Sequence, residues 1–158
     1  MGNGFKTWMS QAEIGMIESY LKPDFSMLEW GCGGSTLHFS RFVKKYYSIE
    51  HNETWFEKIK PETNNKNISL HFAPEKNNYK EYVYHPLNFD LKFDAILVDG
   101  RQRSRCLELA ANRLTHKDSV VFIHDFWERF KYHEAVRAYY NIIDFISEGQ
   151  SLAVLRRK

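Results

Sequence analysis

The sequence contains 158 residues, enough for one domain of ordinary size and too few for two. Hydrophobic residues make up 43% and charged residues 27%, a composition that is typical of a globular domain and excludes a disordered or fibrous chain. The 22 basic and 20 acidic residues are spread along the chain and leave a net charge of +2, so no charged arm predicts a nucleic-acid partner. We therefore expect residues 1–158 to form a single domain.

The remaining compositional features predict a cytoplasmic protein without a membrane partner. No apolar run approaches the roughly 18 residues that span a bilayer, and the first residues lack the apolar stretch of a signal peptide. Cys32 and Cys106 have neither a CxxC spacing nor an accompanying cluster of histidines and cysteines. This pattern disfavours a structural zinc site and a disulfide framework, so we expect both thiols to be reduced.

Hydrophobic periodicity predicts alternating helices and strands. Segment 7–21 is predicted to be a helix, because Ser10 and Glu13 have capping-box spacing and apolar residues recur at helical intervals. Residues 74–92 show no clear period, which is typical of a functional loop. Further helices are predicted at 35–43, 53–60, 103–115 and 128–140, and strands at 26–30, 45–51, 68–72, 93–98, 119–123, 142–147 and 152–156.

This order of elements predicts an α/β fold. Buried strands that alternate with helices indicate a three-layer sandwich around a mainly parallel, seven-stranded sheet, and the last two strands should form an antiparallel hairpin. Residues 1–24 then hold an N-terminal helix, and residues 75–92 form an acceptor-binding lid or pack on the sheet. Ligands bind at the carboxyl ends of the strands in such sheets. The residues predicted at these ends are 29–34, 50–51, 99–101 and 124–125.

A glycine-rich loop follows the first predicted strand. Its spacing is Gly31-x-Gly33-Gly34, with Thr36 where the dinucleotide fingerprint GxGxxG has its third glycine. This spacing disfavours a nicotinamide-dependent oxidoreductase. Glu50 stands 19 residues after Gly31, at the end of the second strand, where a carboxylate accepts hydrogen bonds from both hydroxyls of a ribose. The pattern predicts a cofactor that contains adenosine without a pyrophosphate, or alternatively an ordinary strand-to-helix turn.

Three motifs together resemble the class I S-adenosylmethionine-dependent methyltransferases: LEWGCGGST at 28–36, SIEH at 48–51 and VDG at 98–100. The resemblance extends over nearly the whole chain and implies a Rossmann-like fold with S-adenosylmethionine (SAM) as cofactor. It places Glu29 and the glycine loop at the methionine part, Glu50 at the ribose and His51 beside the adenine. The residues assigned to the cofactor are Glu29, Trp30, Gly31, Gly33, Gly34, Ser35, Thr36, Glu50, His51, Pro74, Glu75, Asp99 and Gly100.

The ends of the fourth and fifth strands carry the candidate catalytic residues Asp99, His124 and Asp125. Methyl transfer is an in-line displacement, so the acceptor must lose its proton to a base or to a metal-assisted step. We expect His124 to be the base, because histidine titrates near neutrality. Alternatively, Asp99 and Asp125 resemble the metal-binding aspartates of catechol-type O-methyltransferases, which would hold Mg²⁺ or another divalent metal. A purely structural alternative has Asp125 capping the next helix and His124 half-buried and satisfied.

Two groups of residues are candidates for binding the acceptor. Arg101 and Arg103 follow the fourth strand, and their guanidinium groups suit a carboxylate, a phosphate or a set of sugar hydroxyls. Tyr79 and Tyr82 lie in the predicted lid, where aromatic rings would stack on a sugar or another ring. The alternatives are surface ion pairing for the arginines and packing on the sheet for the tyrosines. Three further residues would close the same cleft or pack in the core: Trp8, Gln11 and Trp127.

Together these features predict a SAM-dependent O-methyltransferase that modifies a sugar, a glycan end or another small hydroxylated molecule. A chain of 158 residues leaves no room for a large substrate-recognition domain, which favours a small acceptor. One alternative is a methyltransferase that acts on RNA or protein, although no basic groove or Asn-Pro-Pro-Tyr motif favours it. The other is a non-catalytic, methyltransferase-like module that binds the cofactor or a partner protein.

Overall fold

A seven-stranded β-sheet forms the centre of the structure, a computed structural model that describes residues 4–158. Its strands are β1 (Ser26–Trp30), β2 (Lys45–Glu50), β3 (Ile68–Phe72), β4 (Phe93–Val98), β5 (Thr115–His124), β6 (Tyr140–Ile146) and β7 (Leu152–Arg157). They lie in the order β3-β2-β1-β4-β5-β7-β6, in which β1 to β5 are parallel and β7 is antiparallel to both of its neighbours. The predicted mainly parallel sheet with a C-terminal hairpin is confirmed.

Helices cover both faces of the sheet, as the predicted three-layer sandwich requires. They are α1 (Gln11–Tyr20), α2 (Gly34–Phe39), α3 (Glu53–Ile59), α4 (Lys76–Tyr84), α5 (Arg103–Leu109) and α6 (Phe130–Tyr139). Ile17 of α1 and Phe39 of α2 share a buried cluster with Phe122 of β5, while Leu107 of α5 packs in a second cluster with Ile123. Neighbouring residues of a strand point to opposite faces, so β5 contributes to both cores. Between residues 4 and 158, no helix has the length and apolar character that crossing a membrane requires.

The register of the parallel strands brings their carboxyl ends to one edge. Trp30 in β1 lies opposite Ile49 in β2 and Val98 in β4, and Val98 lies opposite Ile123 in β5. The next residue of each strand therefore reaches the same edge of the sheet. These four residues are Gly31, Glu50, Asp99 and His124.

The segment predicted to be a loop at 74–92 is largely helical. It contains α4 and a 3₁₀ turn, His85–Phe89. Asn77, Asn78 and Tyr79 have left-handed backbone angles, with φ of 53°, 53° and 59°, and this interruption hides the helical period in the sequence. Tyr82 and Val83 are fully buried, so this part of the segment packs on the sheet instead of forming a free lid.

Helix α1 begins four residues later than predicted. The predicted capping box is present: Glu13 N donates to Ser10 Oγ at 3.2 Å, and Ser10 N donates to Glu13 Oε2 at 2.7 Å. Ser10 is therefore the N-cap, and α1 starts at Gln11. Residues 4–9, here called the strap, precede it without regular structure. Residues 1–3 of the predicted N-terminal segment and single domain lie outside the described part of the chain.

Two other boundaries differ from the prediction. Strand β5 begins at Thr115 instead of residue 119, and a shift in its register with β4 lies between Phe93 and Ala95. The predicted helix at 103–115 is divided into α5 and a π-helical turn, Ala110–Leu114. Both features are short-range irregularities that a periodicity of buried residues does not encode.

Candidate functional site

A cavity of about 610 Å³ opens at the carboxyl edge of the sheet, a volume that suits a small-molecule or cofactor site. The loops after β1, β2, β4 and β5 form its walls, together with the strap. The edge therefore brings together most of the residues predicted to bind the cofactor or to act in catalysis. Those that line the cavity are Gly31, Gly33, Gly34, Ser35, Glu50, His51, Asp99, Gly100, Arg101, Arg103, His124 and Asp125.

Two predicted site residues are instead part of the core. The side chains of Trp30 and Tyr82 are fully buried, and Trp30 Nε1 donates to the carbonyl of Tyr82 at 3.1 Å. Their rings therefore face the second buried cluster and not the cavity. Acceptor stacking by the Tyr82 ring is excluded, because two large rings from a strand and a helix fill the same core layer. The predicted cofactor contact of Trp30 stays a prediction.

Tyr79, Pro74 and Glu75 also lie outside the cavity lining. The Tyr79 ring contacts the His51 ring edge-on, with 5.4 Å between centroids, and Tyr79 Oη donates to Glu75 Oε2 at 3.1 Å. Tyr79 therefore supports the His51 ring from behind, while His51 faces the cavity. The predicted direct contacts of these three residues with a ligand stay predictions.

The glycines of the loop after β1 have different reasons to be glycine. Gly31 has φ of +96°, a left-handed value that side chains rarely adopt, and a Cβ there would lie 3.1 Å from Gly100 Cα. A Cβ on Gly34 would lie 2.5 Å from the backbone of Lys6, because the strap crosses the loop at this point. A Cβ on Gly33 would meet only Trp55 within 4 Å, at an ordinary 3.6 Å. The packing of the chain therefore does not explain Gly33.

Glu29 lies beneath the loop and does not line the cavity. Its fully buried carboxylate accepts hydrogen bonds from three hydroxyl groups, those of Ser35, Thr36 (2.6 Å) and Ser48 (3.0 Å). Burial raises the pKa of Glu29 to about 8, although these hydroxyl groups oppose the shift. The carboxyl group therefore ties the start of α2 to β1 and β2, and its assignment to the methionine part of a cofactor stays a prediction.

We expect Glu29 to make the stability of the fold depend on pH. The folded protein keeps a proton on Glu29 up to pH about 8, while the unfolded chain releases it near 4.5, so a rise in pH across this interval favours unfolding. The contribution is fully present below pH 4.5 and amounts to at most about 5 kcal/mol. Urea unfolding at pH 5 and pH 8 should show a smaller pH dependence for Glu29→Gln than for the wild type. Equal dependence in both proteins would contradict this assignment.

Glu50 is more constrained than the sequence indicates. Its Oε2 accepts from Cys32 N at 2.9 Å, and its Oε1 accepts from His51 N at 2.9 Å and Asn52 N at 2.8 Å. The carboxylate therefore fixes the glycine loop to the end of β2. Since a carboxylate oxygen has two acceptor positions, Oε2 retains capacity for one ligand hydroxyl. Trp55 Nε1 donates to the carbonyl of Cys32 at 2.5 Å and closes the same loop from the side of α3.

Asp99 and His124 form a hydrogen-bonded pair on adjacent strands, with His124 Nδ1 2.9 Å from Asp99 Oδ1. Both residues line the cavity, but the Asp99 side chain is 25% exposed and that of His124 only 3%, so Asp99 is the more accessible member. Burial by itself lowers the pKa of His124, but the hydrogen bond and charge of Asp99, together with the charge of Glu13, outweigh burial and raise it above its usual value. The predicted role of His124 as the base stays a prediction, and its Nδ1 is already directed at Asp99.

The Arg103 side chain makes its hydrogen bonds within the protein. Its guanidinium donates to the carbonyls of Gly100 (2.9 Å), His124 (2.5 Å) and Asp99 (3.3 Å), and it lies 3.6 Å from the Asp99 carboxylate. These bonds tie the ends of β4 and β5 together, and the predicted role of Arg103 in a substrate clamp stays a prediction. Arg101 is exposed at the rim of the cavity and stays a candidate for acceptor binding.

The donor set does not fit the predicted divalent metal. Asp125 Oδ2 accepts from Arg129 Nε at 2.6 Å, while Asp99 faces His124 and Arg103. In the part of the chain that the structure describes, no group of three or more histidine, cysteine, aspartate or glutamate residues could hold a metal ion. Asp125 also does not cap α6, whose N-cap is Arg129, so this structural alternative is wrong.

Several cavity residues were not predicted. They are Lys6, Thr7, Asn52, Trp55 and Gln150. The sequence did contain a signal for this part of the site, since Asn52 is a typical N-cap residue before α3. Asn52 Oδ1 accepts from Trp55 N at 2.9 Å. Trp8 lines the cavity and is 80% exposed, which contradicts the core-packing alternative. Trp127 is 58% exposed, and both it and Gln11 lie outside the lining.

The fold recurs in proteins of known structure. A methyltransferase-like protein from Silicibacter pomeroyi superposes with a TM-score of 0.74 at 19% identity, over 96% of this chain and 88% of that one. Precorrin 8W decarboxylase from Methanobacterium thermoautotrophicum gives 0.70 at 14% identity, over 99% and 95%. A methyltransferase candidate from Streptococcus mutans, solved in complex with S-adenosylhomocysteine (SAH), gives 0.65 at 12% identity, over 95% and 100%. The chain has a Rossmann-like methyltransferase fold.

This likeness is one of fold alone. No protein-family model matches the sequence, and no curated protein sequence matches it significantly. The structural neighbours also include proteins named for different reactions, a decarboxylase among them. Function in this methyltransferase fold must therefore be argued from the residues of the cavity.

Proposed function

We propose that the protein is a SAM-dependent methyltransferase that transfers a methyl group to a hydroxyl oxygen of a small acceptor such as a sugar, a glycan end or a phenol. The observation that carries the proposal is Gly33. Nothing in the described chain requires glycine at this position, and its open side faces a cavity of about 610 Å³ between Glu50 and Asp99. The missing side chain leaves space for a ligand.

The residues of the cavity suit SAM. The cofactor would supply an activated methyl group on a positively charged sulfur. Glu50 would accept a ribose hydroxyl at the free position of Oε2, and His51, supported by Tyr79, would flank the adenine. A structural neighbour that was solved with SAH has the same fold, which supports this choice of ligand.

Asp99 is the group in this cavity that best suits proton transfer. In the proposed reaction the carbon–sulfur bond breaks as a carbon–oxygen bond forms, the sulfur keeps the bonding electron pair, and the hydroxyl proton of the acceptor passes to the Asp99 carboxylate. Asp99 is partly exposed to the cavity, and His124 and Arg103 hold it in place. Arg101 and Trp8 stand exposed at the rim, where a cation and an indole face would contact a hydroxylated ring.

Calorimetric titration with SAH tests the cofactor site through Gly33→Ala. The added methyl group should lower SAH affinity by about 10- to 100-fold, because it occupies ligand space. The free energy of unfolding should change by less than about 1 kcal/mol, since the new Cβ makes only an ordinary contact with Trp55. Gly15→Ala is the matched control, because a Cβ on this residue of α1 has nothing within 4 Å. It should bind SAH like the wild type.

The outcome separates the candidate functions. Failure of the wild type to bind SAH would contradict the methyltransferase proposal. Equal SAH affinity of Gly33→Ala and Gly15→Ala would show that SAH does not bind beside Gly33, and would contradict the proposed cofactor site. Binding without methyl transfer to any sugar or phenol in an acceptor screen would favour the non-catalytic module. Titrations with and without Mg²⁺ should agree, because the aspartates that would hold the metal are paired with other side chains.

A further inference from the structure

Glu13 lies beside His124, the buried member of the hydrogen-bonded pair of Asp99 and His124. Its position in the sequence indicates only a helix cap. It is fully buried in α1, and its Oε2 accepts from Ser10 N at 2.7 Å to complete the capping box. Its Oε1 is buried and has no hydrogen-bond partner among the described residues. A carboxylate oxygen left without a donor is costly in the interior, so its surroundings should explain it.

The side chain that Oε1 faces is His124. The distance from Glu13 Oε1 to His124 Nε2 is 3.5 Å, and Nε2 is the other buried atom at this place without a hydrogen-bond partner in residues 4–158. The opposite ring nitrogen, Nδ1, lies 2.9 Å from Asp99 Oδ1. The ring therefore stands between two carboxylates, one from α1 and one from the end of β4.

The charges around His124 come from three elements. Glu13 of α1 and Asp99 of β4 are the acidic groups, and Arg103 of α5 donates to the His124 carbonyl and opposes a positive ring. The two carboxylates outweigh Arg103 in their effect on the pKa of His124. An imidazole between two carboxylates has each ring nitrogen directed at one of them, which favours one orientation of the ring plane.

We infer that Glu13 is a positioning residue for the Asp99 carboxylate and acts through His124, which bridges the two side chains. This inference rests on the proposed function, since it gives Asp99 the proton-accepting role. The Glu13 carboxylate, 3.5 Å from Nε2, favours the ring orientation that turns Nδ1 toward Asp99 Oδ1 and holds that carboxylate at the wall of the cavity. The capping box thereby connects the first helix of the chain to the site of proton transfer.

The substitution that tests this inference is Glu13→Gln. Glutamine at this position of a capping box still accepts from Ser10 N, so α1 keeps its cap while the negative charge beside Nε2 is lost. We expect kcat to fall about tenfold. The KM for the acceptor and the affinity for SAH should stay within about twofold, because Glu13 touches neither. Ser10→Ala is the control: it removes the Oγ that caps α1, at a cost of about 1 kcal/mol in stability, and keeps the carboxylate.

A second measurement does not depend on turnover. Nitrogen-15 NMR of the histidine rings in a pH titration, with His124 assigned from the spectrum of His124→Gln, should give the same His124 signals in the wild type and in Ser10→Ala. In Glu13→Gln, the Nε2 signal should change. An unchanged His124 signal would overturn the inference even if no acceptor is found and the proposed function fails. A changed signal with unchanged kcat in an active enzyme would overturn the positioning role.

Discussion

Replacement of Asp99 by asparagine is expected to lower the rate of methyl transfer by about 100- to 10,000-fold, the range that general-base catalysis contributes. Asparagine has the shape of aspartate, and its Oδ1 can still accept from His124 Nδ1, so the pair seen in the structure is kept. It cannot take a proton from the acceptor at neutral pH. SAH affinity should change by less than about threefold, because the loss concerns the transition state.

Single-turnover measurements at saturating SAM and acceptor isolate this step from binding. The matched control is Asp118→Asn, an exposed carboxylate near the opposite end of β5, which should retain the wild-type rate. An Asp99→Asn protein that kept more than about a third of the wild-type rate would contradict the role of Asp99 as proton acceptor.

The largest effect on stability is expected from Gly100→Ala. A Cβ on Gly100 would lie 1.9 Å from Tyr82 Oη and 2.9 Å from the Trp30 carbonyl oxygen. Tyr82 is fully buried and cannot move aside, and the Trp30 carbonyl belongs to the central strand β1. We therefore expect the free energy of unfolding to fall by about 3 kcal/mol, at the upper end of the usual cost of overpacking.

A double-mutant cycle in urea checks the cause of this loss. Tyr82→Phe removes the oxygen nearest to the new methyl group, so it should be less destabilising in the Gly100→Ala background than in the wild type. Recovery will be partial, because the contact with the Trp30 carbonyl remains. Additive effects of the two substitutions would show that the clash with Tyr82 is not the source of the destabilisation.

The succession of strands and helices, and with it the mainly parallel sheet, could be predicted because each strand carries its own signal. Buried runs such as Phe93–Val98 are short, apolar and bounded by polar residues, and alternation with helices leaves few topologies. The carboxyl-edge rule then placed Glu50, Asp99 and His124 together without knowledge of any contact. The helical segment after β3 escaped prediction because three left-handed residues near its start remove the period.

The site itself could be predicted only in part, because its working details are contacts between distant residues. Ser10 and Glu13 indicate a cap three residues apart, but no local pattern shows that the second oxygen of Glu13 faces His124. Similarly, the absence of a clear hydrophobic period at 74–92 did not reveal that Tyr82 fills the core beside Trp30. Gly34 suggested a ligand contact, whereas the structure shows that the crossing of the strap excludes a side chain there.

The first helix and the last hairpin meet beside the cavity. Tyr20 in α1 donates from Oη to Asp144 Oδ2 in β6 at 3.0 Å, across 124 residues of sequence, and a Cβ on Gly149 of the hairpin would lie 3.2 Å from Glu13 Oε2. Contacts between segments so far apart in the sequence cost more loop-closure entropy than contacts between neighbouring elements. The position of Glu13 behind the cavity therefore depends on the C-terminal hairpin as well as on α1.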